Sequence, residues 1–295
     1  MKSISVIIPN FNGEDLLKEN IPPLYNALST SGIIDYEVVV PDDASTDGSI
    51  KFLENNYPEI IIVKNRENKG FSGNVNTGIK ISTKDLVFIL NSDVILLDKY
   101  FSPLLKYFEM EDTFGVMSRI ISMESYKIQD GAKYPQYTFG RITTTKNYLV
   151  KNRTTLYSLY MSGANSLVDR RKLLSLGGFN EFFNPYYSED ADLGITAWRA
   201  GYKIYYEHDS ICRHPNSSTI KKEHKKKVKT VAKRNKIILH YLHLDNFELA
   251  FFLTLYFLKS ILRLLIFDII YIRAAILFFR RFKEIYNYKK EVKYR

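Results

Sequence analysis

Four short runs of apolar and β-branched residues, at 3–9, 36–40, 60–63 and 86–90, are separated by stretches of helix length at about 13–30, 47–56 and 71–82. Strands spaced so far apart cannot join as tight hairpins. They need helical crossovers, which specify βαβ units and an α/β, Rossmann-like, mainly parallel sheet flanked by helices. In open sheets of this kind ligands bind beyond the carboxyl ends of the strands. The polar clusters of this half fall there: Asn10-Phe11-Asn12-Gly13, Asp42-Asp43-Ala44-Ser45 and Asn91-Ser92-Asp93. Residues 120–160, rich in Tyr, Thr and Lys, read as loops and irregular strands covering a site. Helical patterning returns over about 170–200, punctuated by Gly177-Gly178.

A chain of 295 residues, 45% hydrophobic, has enough apolar side chains for one large domain and an appendage. The lone Cys212 excludes an intramolecular disulfide and a four-cysteine zinc site, and favours a reducing compartment. The stretch from Ile4 to Pro9 reads as a first strand and not as a secretory leader.

The net charge of +10 is unevenly placed. Residues 221–236 carry nine Lys/Arg against one Glu, and residues 259–295 ten against three acidic residues, whereas residues 1–220 hold 23 basic and 26 acidic. A slightly acidic body with a basic tail calls for an anionic partner, either membrane phospholipid or nucleic acid. Around the basic run aromatic residues are few and no helix-turn-helix, zinc or RNA-recognition signature appears, so nucleic acid is not the expected partner. The ten apolar residues 249–258 are too few to cross a bilayer, which takes about 20. Placed on one continuous helix, Lys259, Arg263, Arg273, Arg280 and Arg281 share an arc of roughly 100°, with Asp268 opposite. That pattern predicts an interfacial helix drawn to an anionic membrane surface, with the protein peripheral at the cytoplasmic face. The alternative partners of this helix are the catalytic domain itself or a second copy in a homodimer.

Several clusters have a chemical and a plain reading. Asp42-Asp43 could accept the imide N–H of a pyrimidine base, while Ser45 or Asp47 would serve equally as a helix N-cap. Asp93, leaving a buried strand, suits a hard divalent cation that bridges diphosphate oxygens; the plain reading is a polar turn. Asn68, Lys69, Gly70 and Asn74 lie in a small, amide-rich stretch at a helix start, where open N–H groups receive anionic oxygens. Ser188-Glu189-Asp190-Ala191-Asp192 sets three carboxylates in the first turn of a helix. They favour the helix dipole, and their mutual repulsion raises a pKa toward that of a general base. His214, on a polar loop beside Pro215, could share a metal with Asp93.

Taken together and in order, these segments resemble glycosyltransferase family 2, which has the GT-A fold, over about residues 3–235. The stretch 68–78, Ser162-Gly163-Ala164, 177–181 and 189–193 are most similar to its rhamnosyltransferase-type branch. The resemblance implies a catalytic domain over 1–235, with a donor-binding half to about 118 and an acceptor half beyond it, and a basic helical region over 236–295. It implies that Pro9, Asn10, Asn12, Asp42 and Asp43, with Asn68, Lys69, Gly70, Asn74, Asn91 and Ser92, hold the nucleotide. Asp93 and His214 would bind Mn²⁺ or Mg²⁺, although Asn91 replaces the first carboxylate of the family's Asp-X-Asp motif. Asp190 matches the catalytic base, and Gly163, Ala164, Glu189, Trp198 and Arg199 lie in segments expected near the acceptor and sugar. A processive synthase's Gln-X-X-Arg-Trp motif is absent. The implied reaction is a single inverting transfer from a dTDP- or UDP-linked sugar to a glycan or lipid-linked glycan acceptor. The competing readings are a sugar-nucleotide-binding pseudoenzyme and a basic nucleic-acid-binding protein.

Overall fold

A computed structural model describes residues 2–150, 155–214 and 224–293. The polar stretch after His214, from Pro215, and residues 221–223 of the basic run lie outside the described residues. Strands β1 (Ile4–Ile7), β2 (Tyr36–Asp42), β3 (Ile61–Lys64) and β4 (Leu86–Leu90) alternate with α1 (Glu14–Thr30), α2 (Ser49–Asn56) and α3 (Gly70–Ile81). The four strands pair in parallel in the order β4-β1-β2-β3. Every residue of β1 and β4 is buried. Such strands carry apolar side chains on both faces because helices cover both. On one face α1 delivers Leu17, Ile21, Leu24 and Leu28, and on the other α3 delivers Val75 and Ile79.

Beyond β4 the sheet continues through β11 (Asn165–Asp169), β6 (Thr113–Ser122), β12 (Lys203–His214) and β10 (Thr155–Tyr157), with β5 (Ile95–Leu96) on β12 and β7 (Ile128–Asp130) on β6. Since β11 is antiparallel to both β4 and β6, and β12 is parallel to β6, six strands share one direction. The sheet is thus mixed, with a parallel frame. A hairpin of β8 (Pro135–Thr138) and β9 (Arg141–Thr144) stands apart, as the irregular character of 120–160 predicts. Helices α4 (Ser102–Leu105), α5 (Arg170–Ser175) and α6 (Glu189–Arg199) complete the layers. Both expected internal boundaries fall inside elements: residue 118 lies within β6, and 235 within α7 (Lys225–His243).

The tail departs from the single helix expected of it. It forms α8 (Asn246–Leu264), α9 (Ile270–Arg280) and α10 (Phe282–Lys293). The chain turns at Phe267, whose φ is 58°, and Asp268 Oδ1 accepts the Ile270 N–H at 3.1 Å. Asp268 therefore ends one helix and starts the next, and the basic arc drawn on one continuous helix does not exist.

Candidate active site

The shared strand direction decides what meets. β1, β2, β4 and β12 release Asn10, Asp42-Asp43, Asn91-Ser92-Asp93 and His214 at one rim, and reversed β11 begins there, so the preceding Ser162-Gly163-Ala164 joins them. The Asn91 N–H donates to Ala164 O at 3.0 Å, closing that seam. Gly163 lies against the Phe71 ring.

On the donor side the polar groups form an internal frame. Asp42 and Asp43 are each only 3% exposed. Asn10 Nδ2 donates to Asp42 Oδ1 at 2.8 Å, and the Ser45 N–H donates to Asp42 Oδ2 at 3.0 Å. Asp43 accepts from Asn65 Nδ2 at 3.1 Å, the Lys69 N–H at 2.8 Å and the Gly70 N–H at 3.0 Å. Burial pushes the Asp43 carboxyl above its ordinary range. Asn74 Nδ2 reaches Asn10 O at 3.3 Å, and its Oδ1 accepts from Asn65 at 2.8 Å. Asn12, at φ 50°, is bracketed by Ser45 Oγ and the Thr46 N–H at 2.9 and 2.7 Å. Ser45 thus braces the loop after β1 instead of capping α2, while Asp47 takes the Ser49 N–H at 3.1 Å. Pro9 leads from β1 into this frame.

The open helix start expected around Asn68-Lys69-Gly70 is filled by the protein. Besides Asp43, the Phe71 N–H gives to Pro185 O at 3.2 Å and the Ser72 N–H to Asn184 Oδ1 at 3.0 Å. Asn68 Oδ1 accepts the Gly70 N–H at 3.1 Å. These N–H groups are not left for phosphate oxygens; the exposed Lys69 side chain is what this stretch still offers an anion.

At the rim's centre Asp93 Oδ1 lies 3.3 Å from His214 Nε2. Adjacent ligands of one ion with bonds near 2.1 Å sit about 3 Å apart, so this pair fits a shared divalent cation. No group of three or more such side chains gathers among the described residues, so an ion there would take its remaining ligands from elsewhere.

Asp190 opens α6. Its Oδ1 accepts the Ala191 N–H at 2.7 Å. Burial raises its pKa, the Asp130 charge raises it further, and Lys133 opposes. Glu189 is buried beside it, its pKa raised by burial and then by the Asp190 charge. Its Oε2 has no hydrogen-bond partner among the described residues. Asp130, bridged by Lys133, pairs in register with Ile120, and Ile120 pairs with Cys212, two residues before His214. Two strand spacings of about 4.8 Å therefore separate Asp130 from β12. Gly194, one turn after Asp190 on the same face, approaches the Leu159 carbonyl and Tyr160 so closely that a Cβ would stand 2.5 Å from each. That contact sets the height of α6 over the sheet.

The rest of the acidic run and the far end of α6 serve structure. Asp192 Oδ1 meets His243 Nε2 at 2.7 Å. Arg199 donates to His243 O at 2.5 Å and lies 3.3 Å from its Nδ1. The Trp198 indole donates to Ser158 O at 3.0 Å and packs edge-on against Tyr157. Eight or nine residues past Asp190, at about 1.5 Å each, both lie roughly 12 Å along the helix. The indole N–H of Trp198 and the guanidinium of Arg199 thus also brace the fold.

Sequence reasoning missed three features. Asp130 and Lys133 sit in a stretch without periodicity. Arg119 Nη1 meets His208 Nε2 at 2.8 Å because a bulge in β12 after Glu207 presents the ring. Asn235, fully buried on α7, donates to the carbonyls of Phe183, Tyr186 and Tyr187 at 2.6, 2.8 and 2.8 Å, just ahead of Asp190. Pairings so distant in sequence leave no local signal.

Residues 5–176 match the family model described as glycosyl transferase family 2. Over 179 residues the chain is 26% identical to a poly(ribitol-phosphate) beta-N-acetylglucosaminyltransferase, TarP, of Staphylococcus aureus, covering 59% of this chain and 52% of that protein. The chain thus spans about half the length of this curated relative. The crystal structure of GalNAc-T7 with UDP, GalNAc and Mn²⁺ superposes with a TM-score of 0.62 at 16% identity, over 84% of this chain and 49% of that one. The mannosyltransferase PcManGT from Pyrobaculum calidifontis, in complex with GDP-Man and Mn²⁺, gives 0.58 at 17% identity, over 94% and 87%. At these identities the likeness is one of fold, and that fold is GT-A-like.

Proposed function

The chain belongs to glycosyl transferase family 2, and on that premise we propose that it transfers one sugar per encounter, with inversion, from a dTDP- or UDP-linked hexose to a hydroxyl of a cell-surface glycan or lipid-linked precursor. The observation that carries the reading is the placing of Asp190: a partly buried carboxylate of raised pKa in the first turn of α6, a helix packed against β12, the strand that ends at His214. A carboxylate so held accepts a proton near neutral pH better than an exposed one. The acceptor hydroxyl gives its proton to Asp190 as its oxygen bonds to the anomeric carbon. The bond from that carbon to the diphosphate breaks, and the nucleoside diphosphate departs from the opposite side. Asp93 and His214 would hold a divalent cation, whose chemistry is to neutralise the diphosphate. The donor frame fixes the nucleotide by shape, so the reacting atoms meet in line. A relative acting on poly(ribitol-phosphate) supports a polyol- or sugar-hydroxyl acceptor of bacterial surface polymers. The test is a screen of nucleotide sugars by thermal shift with Mn²⁺ or Mg²⁺, followed by transfer assays on Asp190→Asn. Full transfer by that variant would remove the base assignment. The absence of a shift with any sugar nucleotide would remove the reading altogether.

A further inference from the structure

The tail exposes a run of large apolar residues. At the turn between α8 and α9, Leu265, Ile266 and Phe267 follow one another with 73%, 64% and 93% of their surfaces in water. Three consecutive large apolar residues at a projecting turn gain nothing from the fold and oppose solubility. The outward face of α8 extends the patch through Phe247, Leu258 and Leu262, which recur at helical spacing and are each more than half exposed. The outward face of α9 alternates Arg273 and Arg280 with Ile276 and Phe279. Among the described residues no ion pair engages those two arginines: Asp268 is turned to Arg263 at 3.6 Å, and Glu284 pairs with Arg281 at 3.0 Å. No helix among the described residues is long and apolar enough to cross a membrane.

We propose that the α8–α9 hairpin is a wedge that enters one leaflet of an anionic bilayer, with the 265–267 turn among the acyl chains and Arg273 and Arg280 at the phosphates. Charge complementarity selects this occupant. A second copy of the chain would bring the same arginines against one another, whereas lipid phosphate neutralises them and the acyl layer takes up the turn. Because α7 holds the segment before Asp190 through Asn235, the wedge also sets the active-site rim at a fixed attitude to the lipid surface. The proposal concerns the surface alone and stands whether or not the transferase reading holds.

The test is co-sedimentation of the full chain with phosphatidylcholine vesicles, with and without about one-third phosphatidylglycerol, at low and high salt. The control is sedimentation velocity without lipid. The expected result is retention on the anionic vesicles, reduced at least roughly tenfold in a Leu265→Ser/Ile266→Ser/Phe267→Ser variant at either salt. In an Arg273→Gln/Arg280→Gln variant, retention falls roughly fivefold per charge at low salt only. These residues are exposed, so near-ultraviolet circular dichroism should match the parent. Equal retention of the triple-serine variant would overturn the proposal, as would no retention by the parent chain. A dimer that the serine substitutions dissociate, without lipid binding, would assign the face to a second copy instead.

Discussion

The frame around Asp42 and Asp43 and the corner that holds Glu189 and Asp190 treat their carboxylates in opposite ways. Asp42 and Asp43 are wrapped by five donors from Asn10, Ser45, Asn65, Lys69 and Gly70. Glu189 is buried and Asp190 partly so; the Ala191 N–H donates to Asp190, and one Glu189 oxygen has no hydrogen-bond partner among the described residues. A satisfied buried carboxylate holds loops together, while an under-satisfied one stores a cost that chemistry can use. The first region should therefore answer to stability measurements and the second to rate measurements.

The largest expected effect is kinetic. Asp190→Asn should lower the transfer rate by about 10²–10⁴-fold. Since burial raises the folded pKa of this group above its unfolded value, its ionised form weakens the fold as pH rises through that pKa. The neutral amide should then leave the thermal midpoint at pH 7 unchanged or higher, and a lower midpoint would break the contrast. Next, Asp43→Ala strands three donors and should cost about 2–4 kcal/mol in urea unfolding. If it instead left stability intact and abolished only donor binding, the frame would be a recognition site. Trp198→Phe should cost about 1 kcal/mol through the lost bond to Ser158, with the acceptor KM unchanged; a raised KM would return Trp198 to the acceptor site. The smallest effect is a shift in the pH profile. Removing the Asp130 charge in Asp130→Asn should lower the Asp190 pKa, moving the acid limb of kcat/KM downward by less than about one unit.

The parallel half was legible because each strand and crossover announces itself within a dozen residues: α1, predicted over about 13–30, spans Glu14–Thr30, and β4 spans the predicted 86–90. The meeting of Asp93 with His214 was legible from the chemistry of the residue types. What could not be read was which donors already had acceptors. Nothing near Lys69 shows that Asp43, more than twenty residues earlier, will claim its N–H. Nor does the apolar run from 249 reveal a turn at Phe267, because a left-handed phenylalanine has no sequence signature. Nor does anything near Arg199 show that it donates to the carbonyl of His243, on a later helix.

One amide side chain makes α7 a splint for the loop that leads to Asp190. Asn235 gathers three carbonyls of the loop that precedes α6, and Arg234 adds the carbonyl of Asn184. Shortening the protein from its far end should therefore not wear activity away gradually. Turnover should hold while α7 keeps its seat, then fail in a single step once the cut passes Asn235.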